Sequence, residues 1–294
     1  VSLNYTAGRG IRLQDYASSV GLGWQLNAGG SISRVVRGFP DEFPNGYLGT
    51  DLTGQKLEAY FNGAGNFPAG VDNGLNVPTK DGEPDIYFVR TPYFAFQFTF
   101  DGNGNAVFNN ETGMKITSSS FFASSTYQYS TFTIKDPAGN TYSFGSSRET
   151  STTTLYGTNY TFTTTWYLSH ISTFNNKDYA TFSYLSSSGN DVLPHYQRTR
   201  TYNMYGCQDN NNDPVPLTIN QPQYISTITT PTGQIDFTYL YDRSDITTAA
   251  RLTGITLKSS GGLGVTTLQT YAFDHSYFGS PSLDPKRLRL KLNK

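Results

Sequence analysis

The sequence predicts an all-β fold of antiparallel β-hairpins, stacked into an extended sandwich or solenoid-like array with little helix. Three observations carry that expectation. Tyr and Phe number 22 and 20 against 2 Trp, and only 15% of the 294 residues are charged; an aromatic, Thr-rich composition suits pleated surfaces and cross-strand pairs. Apolar residues alternate with polar ones at period two over several runs. Those runs are separated by Asp-Gly, Asn-Gly and Pro-containing turns, which tolerate the backbone angles of tight hairpins. The 29 Gly and 14 Pro supply many such turns, while 36% hydrophobic residues is too high for a disordered chain.

Along the chain, Val1 opens directly into strand-like residues with no signal peptide before them, so the sequence reads as an internal piece of a longer polypeptide. Residues 52–60 are the one helix-compatible segment, and residues 62–84, rich in Gly, Asn and Pro, read as a long connection. This gives an N-terminal β region over 1–84 and a β-hairpin region over 85–294, compatible with one continuous domain. The clearest strand covers residues 93–100, where Phe94, Phe96, Phe98 and Phe100 share one face. Asp101-Gly102-Asn103-Gly104-Asn105 turns it back into Ala106-Val107-Phe108. Phe132-Thr133-Ile134 and Thr141-Tyr142-Ser143-Phe144 form a second hairpin around Asp136-Pro137-Ala138-Gly139-Asn140.

A degenerate repeat follows. Leu168-Ser169-His170-Ile171, Ile225-Ser226-Thr227-Ile228 and Leu252-Thr253-Gly254-Ile255 each read apolar-x-x-apolar, then a turn, then an apolar-x-aromatic strand. Such units bury their inner faces only by stacking on neighbours. The polar stretches 186–190 and 206–216 read as exposed loops. At the C-terminus, Leu288, Leu290 and Leu292 alternate with Arg289 and Lys291, predicting an edge strand with its basic residues outward.

The block Gly21-Leu22-Gly23-Trp24-Gln25-Leu26-Asn27-Ala28-Gly29-Gly30-Ser31-Ile32-Ser33-Arg34, followed by Arg37-Gly38-Phe39-Pro40-Asp41-Glu42, resembles the opening of Bacteroidetes proteins of the RHS/YD-repeat class. Tyr239-Leu240-Tyr241-Asp242-Arg243 and Lys286-Arg287-Leu288-Arg289-Leu290 are similar to that class as well. Gly21, Gly23, Trp24, Asn27, Gly29 and Gly30 are its structural motif here, with Trp24 expected as a buried anchor. The resemblance implies a very large secreted or cell-surface protein built from hairpin repeats. Relatives in the broader class wind such repeats into shells around a toxin or into adhesion scaffolds. The chain lacks a regular Tyr-Asp array, so at most it is the region preceding the repeats.

No catalytic or cofactor-binding constellation is legible. His170, His195 and His275 lie far apart without ligand spacing. Cys207, the single cysteine, excludes an intrachain disulfide and sits in no nucleophile motif. No nucleophile elbow or phosphate loop occurs. Asp41 and Glu42, taken as neighbours on a strand, point to opposite faces and make a poor carboxylate pair. Transition metals lack thiolate or clustered imidazole ligands. Calcium has one weak candidate, Asp209, Asn211 and Asp213, which places oxygens at alternate positions but lacks the downstream bidentate Glu; Asp101-Asn103-Asn105 is already a hairpin turn.

A net charge of −1 leaves no basic stripe for nucleic acid, and no apolar run is long enough to span a bilayer. The expectation is a non-catalytic structural or interaction module, secreted or on the cell surface, packing against the downstream region of the same polypeptide along the C-terminal edge strand. The alternatives are a carbohydrate-binding or adhesive module, with Tyr127, Tyr129, Tyr156 and Tyr160 as a platform for glycans, and part of a toxin-encapsulating shell.

Overall fold

The computed structural model describes residues 1–6, 16–37, 40–43, 46–48, 83–110, 112–119, 131–155, 158–187, 191–195, 199–203, 206–210, 215–220, 222–261, 264–279 and 288–294. For residues 119, 153–155, 158–160 and the strands between 191 and 220 the backbone alone is described. All regular structure among the described residues is β-strand, and the strand pairs are antiparallel throughout. The expected helix-compatible segment at 52–60 lies outside the described residues.

The chain begins with β1 (Ser2–Tyr5), β2 (Trp24–Asn27) and β3 (Ser31–Val35). Next come β4 (Ile86–Arg90), β5 (Ala95–Phe100), β6 (Ala106–Phe108), β7 (Lys115–Ser119) and β8 (Thr131–Lys135). The two longest strands follow, β9 (Thr141–Leu155) and β10 (Thr158–Ser172), and then β11 (Tyr179–Ser186). β12 (Asp191–His195), β13 (Thr199–Asn203), β14 (Gly206–Asn210) and β15 (Val215–Asn220) nest one hairpin inside another, β12 pairing β15 and β13 pairing β14. The stretch 206–216 was expected as an exposed loop; it contains strand β14 and the start of β15 instead. Hydrogen bonds across the nested hairpin outweigh its poor strand composition. The chain then runs through β16 (Gln223–Thr230), β17 (Gly233–Leu240), β18 (Arg251–Gly261), β19 (Gly264–Ala272), β20 (His275–Phe278) and β21 (Arg289–Leu292).

Fifteen strands join in one sheet, with β9–β10 as its spine. Opposite β9, the other edge of β10 is shared: Thr165–Tyr167 pair with β3, and His170–Ser172 pair with β11. The sheet therefore forks into a β3–β4–β5–β6 arm and a β11–β16–β17–β18–β19 arm, both open at their ends among the described residues. Strand β3, from the 1–84 region, lies between β4 and β10 of the 85–294 region.

The core sits at the fork. Tyr87 and Phe98 stack at 4.9 Å, and Trp166 meets Phe132 edge-on at 5.0 Å. All four rings are fully buried, with Ile32, Ile134, Phe144 and Leu168 around them. The Phe alternation expected in the first hairpin is present, Phe98 and Phe100 buried and Phe94 and Phe96 half-buried. Its turn is closed by Asp101 Oδ1, which accepts from the N–H groups of Asn103 and Asn105 at 2.9 and 2.8 Å.

The apolar-x-x-apolar repeat has a specific cause. In an unbroken strand, positions three apart face opposite sides. Here each unit carries a β-bulge at the residue after its first apolar position. The pairing skips Ser169 between Leu168 and His170, Ser226 between Ile225 and Thr227, and Thr253 between Leu252 and Gly254. The extra residue returns both apolar side chains of Ile225/Ile228 and Leu252/Ile255 to buried positions. In two units its hydroxyl donates to a carbonyl of the neighbouring strand, Ser169 to Ser143 O at 2.9 Å and Thr253 to Thr238 O at 3.1 Å.

Candidate functional site

The motif glycines stand where distant segments meet. Leu22 N–H donates to Leu290 O at 2.8 Å, and Trp24 N–H to Gly21 O at 3.2 Å. Gly21 has φ +133°, and a Cβ there would lie 2.9 Å from Leu292 N. A Cβ on Gly30 would lie 2.8 Å from Arg90 O. Gly23 faces the Tyr5 ring and Gly29 the Tyr184 hydroxyl. Trp24, expected to be a buried anchor, is half-buried against Tyr5, ring centroids 5.1 Å apart. The cause is that β2 pairs with β1 in a separate two-stranded sheet, and so covers the core instead of entering it. Trp166 takes the buried role.

Arg243 fastens the same junction. Its guanidinium grips Asp245 with two hydrogen bonds of 2.9 and 2.8 Å and donates to Ala17 O and Ser18 O at 3.0 and 3.1 Å. Asp245 Oδ2 also accepts from Leu290 N–H at 3.1 Å. The outward N–H and C=O of Leu290 are thus both used, and β20 pairs the opposite edge of β21. This corrects two expectations. The C-terminal strand is not an open edge at Leu290, and Arg289 is buried, 5.3 Å from the Tyr16 ring, instead of facing outward.

A buried charged cluster lies between the β3–β4 pair and β10, where the sequence reading saw none. Arg34 pairs with Glu42, approaches Asp85 at 3.5 Å and donates to Thr163 O at 2.6 Å. Asp41 and Asp85 clasp each other through main-chain groups: Asp85 N–H donates to Asp41 Oδ1 at 2.9 Å, and Asp41 N–H to Asp85 Oδ2 at 3.1 Å. Residues 40–43 form a turn, closed by Phe43 N–H on Pro40 O at 2.9 Å. Asp41 and Glu42 are therefore not on a strand, and both turn inward, contrary to the opposite-face expectation. Three carboxyl groups face one guanidinium, with almost no exposure of these side chains. Burial, together with the neighbouring Asp85 charge, pushes the Asp41 carboxyl up to about 8. Burial also raises Asp85, to about 6, against the opposing pull of Arg34 and two backbone N–H groups. Burial thus favours the protonated form of both carboxyl groups. Asp41 Oδ2, Glu42 Oε1 and the Tyr87 and Thr163 hydroxyls make no hydrogen bond among the described residues.

The remaining sequence candidates do not assemble. His170 stands beside the Thr181 hydroxyl and the Tyr179 ring, while His275 Nε2 lies 3.1 Å from Val20 O, its pKa lowered by burial. His195 is the last residue of β12, and Cys207 lies opposite Tyr202 in β14. Asp209 is in β14 opposite Arg200, while Asn211 and Asp213 lie outside the described residues. So do Tyr127, Tyr129, Tyr156 and the side chain of Tyr160. Among the described residues no three His, Cys, Asp or Glu side chains gather as a metal site, and no helix is long and apolar enough to cross a membrane.

Two surfaces missed by the sequence reading remain. One is a cleft of about 700 Å³ between the β1–β2 hairpin and the fork, walled by Tyr167, Tyr184, Tyr224 and Tyr239. Burial raises the phenols of Tyr167, Tyr184 and Tyr239, which keeps that wall neutral. The other is β19, every residue of which is exposed, including Val265, Leu268 and Tyr271 at 61%, 62% and 51%. The cleft is assembled from residues far apart in the chain, so no local motif marks it. No family model matches this chain, and no curated protein matches it.

Proposed function

We propose that this chain is a non-catalytic structural and interaction module of a large RHS-like secreted or cell-surface protein. Its partner in this reading is a further β-segment of the same polypeptide, added to strand β19. The observation that supports it is the chemistry of that edge. Gly264–Ala272 contains no Lys, Arg, Asp, Glu or Pro, and nothing among the described residues covers either face. Exposed edge strands are usually shortened, charged or interrupted by Pro to prevent pairing. Here the only irregularity is a bulge at Leu268, and no strand among the described residues pairs with the outer edge on either side of it. An added hairpin would complete β19 as each earlier hairpin of the arm completes the one before it.

The test is hydrogen exchange across Gly264–Ala272, in this chain alone and in the parent polypeptide that the proposal requires. The expected result is slow exchange in the parent and fast exchange here. Equal, fast exchange in both would remove the docking edge and the reading with it.

A further inference from the structure

Beside the tyrosine-walled cleft lies a second groove of about 730 Å³ on the β3–β4–β5 surface, and both are lined by Gln25, Ser31 and Arg90. The two adjoin at these shared residues and are taken together as one trough, with Arg90 on the boundary between its halves. We infer that this trough binds an oligosaccharide bearing carboxylates, with Arg90 reading the acidic group.

Three features of the lining specify that chemistry. The first is amide density: Asn4, Asn27 and Gln223 line one half, and Gln97, Asn109 and Asn110 the other. Amides offer donors and acceptors on one group, as vicinal sugar hydroxyls require. The second is the aromatic wall, held in place by its own hydroxyls. Tyr167 donates to Glu149 Oε1 and Tyr184 to Leu168 O, both at 2.8 Å, and Tyr224 accepts from Ala250 N–H at 3.0 Å. Rings fixed in this way give apolar contact at little ordering cost. The third is charge. Among the described residues neither half is lined by an Asp or Glu, and Arg90 is the only charged side chain that lines them. Arg90 is exposed and enters no ion pair among the described residues, so its planar fork is available to a ligand carboxylate. A single cation is too little for a nucleic-acid backbone.

The motif supports this site physically. Gly29 and Gly30 lie between Tyr184 and Arg90, and a side chain on either would push into the trough wall. The inference stands apart from the docking edge, since β19 lines neither half.

The experiment is calorimetric titration with a galacturonic-acid tetrasaccharide and its neutral galactose counterpart. The acidic sugar is expected to bind more tightly, and less so at high salt. Arg90→Ala should weaken it about tenfold or more, as loss of a charge-assisted pair does. Arg90→Lys, which keeps the charge but loses the fork, should fall between. Binding of neither sugar, equal binding of both, or unchanged affinity in Arg90→Ala would overturn the inference. Because Arg90 is exposed, an unchanged melting temperature in these variants separates lost binding from lost folding.

Discussion

The two arms that leave β10 begin alike and end differently. The β3–β6 arm buries Ile32, Tyr87, Val89, Phe98 and Phe100 and stops at β6, a strand of three residues. The β11–β19 arm buries Phe182, Ile225, Ile228, Phe237, Leu252 and Ile255, yet its final strand of nine residues buries nothing. Both arms follow the same alternation grammar. They differ in what lies above the sheet: the first arm folds over the β8–β10 core, whereas the second outruns it. A very short edge offers little to another chain, and a long uncharged one offers a template. Burial therefore locates the stability of the molecule, and its absence marks the edge proposed above for docking.

The largest test of this contrast is at the fork. Trp166 is fully buried against Phe132 and Tyr87, and the Arg34 guanidinium lies 5.5 Å from its ring. Trp166→Ala should cost about 3–5 kcal/mol, since the surrounding β-sheet cannot collapse into the space. The check is a reversible denaturant melt followed by fluorescence of the remaining tryptophan and by circular dichroism. A loss below about 1 kcal/mol would mean that the two arms are not held by a shared core.

The charged clasp makes the β3–β4 arm sensitive to pH. Asp41 and Asp85 have raised folded-state values, so the folded protein holds protons that the unfolded chain, with Asp near 3.9, has already released. Their contribution is therefore fully present below about pH 4 and lost as the pH rises through 6 and 8. The cost is on the order of 1.4 kcal/mol for each unit of separation. Asp41→Asn keeps the oxygen that accepts from Asp85 and removes the Asp41 part of the titration, leaving that of Asp85. It should match the native protein near pH 5 and exceed its melting temperature near pH 9. A native melting temperature that climbs from pH 5 to 9, or an equal slope in the variant, would show that the clasp does not govern the pH response.

Trp24 gives a smaller effect because it covers the core from a two-stranded sheet. Trp24→Ala should cost about 1–2 kcal/mol, consistent with partial burial and one aromatic neighbour. An effect equal to that of Trp166→Ala would place the β1–β2 hairpin within the cooperative core.

The all-β fold and the principal hairpins were legible because their signals are local. Alternating Phe at 94–100 and the Asp101 and Asp136 turns specify pairing between adjacent segments. What escaped was set by contacts between distant residues. Asp41 and Glu42 were taken as strand neighbours, but a turn at Pro40 directs both toward Arg34. Arg289 looked like an outward charge by alternation, until Tyr16 and the Arg243 junction enclosed its strand. The tyrosines of the trough come from β10, β11, β16 and β17, and no spacing in the sequence joins them to Arg90. The repeat lay between these cases: its apolar spacing was visible, and the bulges that explain it were not.

The finest comparison is between the two sheet ends themselves. Leu268 on β19 and Val107 on β6 are both exposed, at 62% and 47%, so replacing either by Lys should change stability by less than about 0.5 kcal/mol. Their effects on association should diverge. Residues Gly264–Ala272 offer a nine-residue row without charge, long enough for a second strand to pair on either side of the bulge. At high protein concentration this edge should pair with itself, because Val265, Thr266, Thr270 and Tyr271 are favourable cross-strand partners for one another. Leu268→Lys places like charges together at the centre of such a pairing and should suppress it. Val107→Lys acts on a strand of three residues that supports no stable pairing, and should leave association as it was. Sedimentation equilibrium across a concentration series reads the difference. If both variants dissociate the protein equally, or neither does, the length and charge of the edge are not what distinguish the two arms.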